Sequence, residues 1–213
     1  MEQIKINKLI QKLNKLYPQA TCALNYENEL QLMVSVQLSA QCTDKRVNEV
    51  AKTLYRKYST LEHFANANLI ELEQHIKSTG FYHNKAKNIQ EMCKKVIQFY
   101  NCKFPDSLNE LLKLNGVGRK TANLFLWEIY KIPGIVVDTH MIRLTNLLGL
   151  AKTKNAYHIE LQLMKIIPKE QWNIFCHQIV AHGRQVCIAR RPLCDKCELS
   201  SLCEYRNTKE SDK

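Results

Sequence analysis

Four cysteines crowded near the C-terminus, Cys187-x6-Cys194-x2-Cys197-x5-Cys203, constrain what this chain can fold into more than any other feature. Thiols at that spacing are metal ligands, so the segment must close into a compact loop around a common occupant. Tetrahedral zinc and a 4Fe–4S cluster both suit the pattern. The full count of nine cysteines is odd and no secretion signal precedes them, which argues against a disulfide framework. The other five, Cys22, Cys42, Cys93, Cys102 and Cys176, are scattered and read mostly as small buried hydrophobes. Between the first two ligands lies a basic stretch, residues 188–193. Arg190 and Arg191 there either meet phosphates from a metal-fixed loop or are plainly solvated.

The remainder reads as all-α, in one large domain or two small ones. Apolar residues recur at helical spacing in 6–17, where Pro18 ends the run, and in 44–56, where Asp44 is the expected N-cap. The same period covers 85–100, 106–113, 118–131, 139–148, 155–167 and 170–182. Residues 30–38 alternate as a strand would, but Met33 breaks the alternation and a lone strand has nothing to pair with. A helix buried on every side gives the same pattern, and 30–38 is read as one. The polar tail, 207–213, is expected to be disordered.

Between two of these helices runs Leu114-Asn115-Gly116-Val117-Gly118-Arg119-Lys120-Thr121-Ala122. Gly116 and Gly118 can take positive φ, so the chain can turn sharply with its amides facing outward. With the positive end of the following helix, those amides suit a phosphate oxygen. An ordinary αα-hairpin would use similar residues. Lys120 sits in the first turn of the second helix, where the dipole disfavours a cation. Arg119 and partial burial are expected to lower its pKa, as a nucleophilic amine requires, although a solvated lysine on phosphate fits too. Further on, Asp138 in Val136-Val137-Asp138-Thr139-His140 is either an N-cap or a carboxylate that handles a proton or faces positive charge on a sugar.

Charge and hydropathy narrow the partners. Thirty-one Lys and Arg against 20 Asp and Glu give +11, the footprint of a phosphate-backbone binder. No apolar run approaches the ~20 residues that cross a bilayer, and the N-terminus lacks a signal peptide's uninterrupted apolar stretch. A soluble intracellular protein is expected. The Lys-, Asn- and Ile-rich composition suggests a bacterial, cytoplasmic one, associated with the nucleoid only through DNA.

These motifs, in this order, resemble those of endonuclease III within the helix-hairpin-helix DNA glycosylase superfamily. The resemblance runs essentially the whole length: Leu38-Ser39-Ala40-Gln41-x-Thr43-Asp44, the Gly116–Asn123 hairpin, Val137-Asp138-Thr139-His140 and the four-cysteine loop. It implies a base-excision-repair glycosylase that removes oxidised pyrimidines from duplex DNA and cleaves abasic sites by β-elimination. Lys120 would attack C1′ and form the Schiff base, with Asp138 supporting that step. The cysteines would hold one structural 4Fe–4S cluster. Gln41 would fill the space left by the flipped nucleotide. Phe81, after Gly80, stands where the family carries a wedge, often Leu, or else faces the core. Gly116, Gly118, Arg119, His140, Arg190 and Arg191 complete the expected DNA contacts. The implied architecture is a six-helix domain over 21–132, and a cluster domain formed by 1–20 with 133–213. The resemblance also implies a DNA cleft between them and a monomeric enzyme that would act on double-stranded DNA bearing a damaged base or abasic site.

Two other classes stay in view. An adenine mismatch glycosylase shares the fold and cluster but typically lacks the hairpin lysine. A non-catalytic DNA-binding module would need neither Lys120 nor Asp138. Asn115 departs from the family's usual Pro, with a small loss of rigidity in the turn.

Overall fold

The structure, a computed structural model, describes residues 3–211, with side chains as far as residue 208. Every regular element among the described residues is helical. The chain divides into two units, Met1–Cys22 with Pro133–Lys213, and Ala23–Ile132. The first takes α1 (Gln3–Leu16) from the beginning of the chain. The second holds α2 (Glu29–Leu38), α3 (Asp44–Lys57), α4 (Leu61–Ala65), α5 (Leu69–Ile76), α6 (Tyr82–Phe99), α7 (Leu108–Leu111) and α8 (Arg119–Tyr130). Returning to the first unit, the chain forms α9 (Thr139–Leu147), α10 (Ala156–Ile166), α11 (Trp172–Gln185) and α12 (Glu204–Ser211).

In the unit Ala23–Ile132, α2 is the centre. Leu30 and every residue from Leu32 to Leu38 are buried, because α2 packs against α3, α6 and α8. A helix covered on all sides needs no polar stripe, which explains its strand-like alternation. Asn28 starts it, its side chain accepting from Gln31 N at 3.0 Å. At α3 the expected cap is off by one residue. Thr43 Oγ1 accepts from Arg46 N at 3.3 Å, and Asp44 instead lies in the first turn, where a carboxylate complements the dipole.

Several boundaries differ from the periodic reading. The helix expected over 106–113 shrinks to Leu108–Leu111, since Leu112, Lys113 and Leu114 go into turns that lead to the glycines. Two short helices, α4 and α5, escape detection by period because neither is long enough to show one. Their caps, Thr60 to His63 N at 3.2 Å and Asn68 to Glu71 N at 3.2 Å, are the local signals that mark them. The tail is helical as far as Ser211 rather than disordered from 207 onward; residues 212–213 lie outside the described part.

The discontinuous unit has its own core. Ile6, Leu9, Ile10 and Leu13 of α1 pack with Met141 and Leu144 of α9, Ile159 and Leu163 of α10, and Phe175, Cys176 and Ile179 of α11. Burying such side chains contributes about 1.5–3 kcal/mol each.

Candidate nucleic-acid interface and four-cysteine cavity

The glycine turn is asymmetric. Gly116 takes φ +73°, and a Cβ there would stand 2.5 Å from Gln37 Oε1, so both its conformation and its packing exclude a side chain. Gly118 is different. Its φ is −91°, contrary to the expectation that both glycines use positive φ, and a Cβ on it would meet nothing within 4 Å. The fold itself therefore does not require glycine at 118. The room beside it faces outward, next to the uncapped first turn of α8, whose leading amides lack intrahelical partners. Between the two glycines Val117 is buried and pins the loop, its amide donating to Leu114 O at 3.2 Å. Gln37 Nε2 adds a bond to Asn115 O at 3.1 Å.

Lys120 lies in the first turn of α8 and is exposed, so the partial burial expected for it is not found. Arg119 beside it is half-buried. In the same unit, Gln41 (φ +53°) and Phe81 (φ +49°) both take the left-handed conformation that non-glycine residues avoid. Both are exposed, Phe81 to 62%, which removes the core-facing alternative for that ring. Strain of this kind, on the order of 1–3 kcal/mol per residue, persists where the surroundings enforce it and often marks a working site.

Asp138 and His140 belong to the other unit. Asp138 Oδ1 caps α9, accepting from Met141 N at 2.8 Å. His140 follows in the first turn, its ring packed against α11, where a Cβ on Gly183 would come 2.5 Å from His140 Nδ1. Gly183 is the residue that admits this ring, and no sequence signal pointed to it.

The four cysteines come together. Cys187 follows α11; Cys194 opens a short 3-10 turn that ends before Cys197, and a second such turn leads to Cys203. All four line one cavity with Leu144, Leu147, Leu148, Val186, Leu193 and His182. Arg143 Nη1 donates to Cys187 Sγ at 3.5 Å, and His182 Nε2 stands 3.6 Å from Cys197 Sγ. Burial pushes the Cys187 and Cys197 thiols up, with Arg143 opposing the shift at Cys187. Burial, followed by the Arg143 charge, brings His182 down to about 4, so its ring is neutral near pH 7. Neither Arg143 nor His182 was visible as a neighbour of the cluster in the sequence. Among the described residues no three His, Cys, Asp or Glu side chains converge as one metal ion requires. The thiols surround a space instead of meeting at a point. In the loop between the first two ligands, Val186 O accepts from both Ile188 N (3.0 Å) and Leu193 N (2.9 Å). That closure leaves Arg190 and Arg191 exposed at the tip.

Comparison with known proteins gives a consistent result. The family model for HhH-GPD superfamily base excision DNA repair proteins matches residues 34–169. Endonuclease III of Synechocystis sp. is 48% identical over 192 residues, covering 90% of this chain and 88% of that protein. The Bacillus subtilis endonuclease III is 44% identical over 93% of this chain and 91% of its own length. A solved structure of a trapped endonuclease III–DNA covalent intermediate superposes with a TM-score of 0.94 at 41% identity, covering 99% of both chains.

Proposed function

Since this chain belongs to the endonuclease III family of the HhH-GPD superfamily of base excision DNA repair proteins, we propose how its own residues carry the family's chemistry. The protein is a bifunctional DNA glycosylase and abasic-site lyase acting on oxidised pyrimidines in duplex DNA. The observation that carries the assignment of its nucleophile is the exposed Lys120, in the first turn of the helix that follows a pinned glycine hairpin.

In this reading the hairpin grips the DNA backbone. A phosphate oxygen takes the room beside Gly118 and the leading amides of α8, with Arg119 adding charge. Lys120 then lies near a sugar rather than a base edge. Its amine, once deprotonated, forms a bond to C1′ while the C1′–N bond to the damaged base breaks and the base leaves with the bonding pair, to be protonated in turn. Transfer of an amine proton to O4′, with cleavage of the C1′–O4′ bond, gives the protonated imine. That cation acidifies the C2′ proton, whose removal expels the 3′ phosphate and breaks the strand. Asp138, half-buried and already capping α9, is the carboxylate that faces the cationic sugar and takes up protons. Gln41 and Phe81 occupy the duplex where the extruded nucleotide was, and His140, Arg190 and Arg191 bind flanking phosphates.

Cys187, Cys194, Cys197 and Cys203 would hold a 4Fe–4S cluster. Their arrangement fits that group: four soft donors around an apolar-walled space, with Arg143 beside one sulfur to offset thiolate charge. Its contribution is structural, ordering the chain from Cys187 to Cys203 and the arginine loop within it. Iron and sulfide analysis of anaerobically prepared protein should give close to four of each per chain; zinc in their place would refute this occupant.

The test of the catalytic reading is borohydride trapping on duplexes carrying one thymine glycol or one abasic site. Wild type should form a covalent adduct with both, Lys120→Ala with neither, and Asp138→Asn at a rate reduced by about 100-fold or more. Wild type that frees the base without any adduct would act by water attack, as a monofunctional glycosylase. An adduct surviving in Lys120→Ala would move the nucleophile elsewhere.

A further inference from the structure

One buried cation has no part in the chemistry above. Lys85 lies on α6, only 6% exposed, and its ammonium is held by two backbone carbonyls, Leu38 O and Thr79 O, each at 2.8 Å. Leu38 is the last residue of α2, and Thr79 ends the 3-10 turn that follows α5. Both carbonyls therefore lie at helical C-terminal ends, where the backbone is short of donors and carries partial negative charge. A charge is costly to bury, and here the cost is offset by satisfying two carbonyls that an apolar side chain would leave unpaired. What the ammonium does, and a methyl could not, is tie these two segment ends to one point.

The segments are those that carry Gln41 and Phe81, two of the exposed residues held at positive φ. Leu38 precedes Gln41 by three positions and Thr79 precedes Phe81 by two. Phe81 O also accepts from Lys85 N at 3.1 Å, so the backbone and the side chain of Lys85 hold the same loop. On the α2 side, Gln37, adjacent to Leu38, binds Asn115 O of the hairpin. A continuous run of bonds thus links the hairpin, the Gln41 loop and the Phe81 loop within one unit.

We infer that Lys85 is a positioning residue that sets the spacing between Gln41 and Phe81, so that both enter the duplex together when a nucleotide is extruded. The inference rests on the proposed role of those two residues. It predicts that loss of Lys85 matters only where a stacked nucleotide must be displaced. An abasic site in a single strand has neither base nor partner to replace, and its capture by Lys120 needs no such spacing.

The experiment compares the full-length protein with Lys85→Met, which keeps the length of the side chain without its donors, after checking helicity and cluster absorbance. Single-turnover base removal from a thymine glycol duplex should fall by about tenfold or more. Borohydride trapping on a single-stranded abasic oligonucleotide should stay within about twofold. In a Gln41→Ala, Phe81→Ala background, adding Lys85→Met should cause no further loss on the duplex. Equal losses on both substrates, no loss on the duplex, or losses that simply multiply in the combined variant would each overturn the inference. If Gln41→Ala and Phe81→Ala are themselves silent on the duplex, the reading on which it rests fails and the inference falls with it. Should Lys85→Met not fold, Lys85→Gln, which retains one donor group, goes through the same cycle.

Discussion

At the scale of single residues, burial decides more than type. Cys93 on α6 is fully enclosed, and burial, reinforced by the Glu62 charge, pushes its thiol up to about 12. The native protein therefore keeps the thiol neutral where the unfolded chain begins to ionise near pH 9. Because the folded pKa is the higher one, its contribution to stability is complete below pH 9. It is lost as pH rises toward 12, at about 1.4 kcal/mol per unit. Cys176, also pushed to about 12 by burial, acts with the same sign in the other unit. Urea midpoints under reducing conditions should fall between pH 8 and 10.5, and Cys93→Ala should flatten that decline while starting from a lower stability. Equal slopes for the two proteins would refute the argument. Lys85 was not singled out in the sequence, because its charge masks its register. It stands four residues before Ile89 on the buried face of α6, a register that the structure shows to be enclosed even for a cation. Lys120 shows the opposite limit: its place in the motif was plain, but its exposure depends on where the turn of α8 faces, which local sequence does not encode.

Among elements, the long helices were legible because each buries one stripe, and even α2 was recognisable once full burial was allowed. The short ones were not. α4 and α5 span eight residues or fewer, too few for a period to stand out, and only their caps declare them, while the period found α7 but overran both its ends. The hairpin offers the sharpest test at this scale, because its two glycines serve different ends. Gly116→Ala must place a side chain at positive φ and against Gln37, and should cost about 1–3 kcal/mol of stability. Gly118→Ala needs no backbone change, and its smaller unfolded-state entropy offsets a weaker N-cap, so stability should move by less than about 0.5 kcal/mol. Its damage should fall on DNA instead, weakening binding to an abasic-site duplex by tenfold or more as the methyl takes the space meant for phosphate. Denaturation curves and binding isotherms on the two variants check the separation. If Gly118→Ala binds DNA normally, the hairpin is only a turn.

For the whole molecule, charge and chain path matter more than any contact. The sequence carries +11, and backbone gripping by such a protein releases counterions. Affinity for undamaged duplex should fall steeply with salt, by on the order of 10³-fold or more between 50 and 200 mM for six or more phosphate contacts. An almost flat salt response would rule out backbone-dominated binding. No helix among the described residues is long and apolar enough to cross a membrane. The path of the chain has a consequence during synthesis. α1 is synthesised well before its partners, since those of Ile6, Leu9, Ile10 and Leu13 come only after Pro133. At about 5–20 residues per second those four side chains wait several seconds or longer, while the contiguous unit Ala23–Ile132 can close behind them. Cys187, Cys194, Cys197 and Cys203 follow later still, so the cluster proposed for them would be loaded with the hairpin already formed and α1 still unburied. Loss of that proposed cluster would then show as an aggregating or proteolysed α1, not as a missing hairpin.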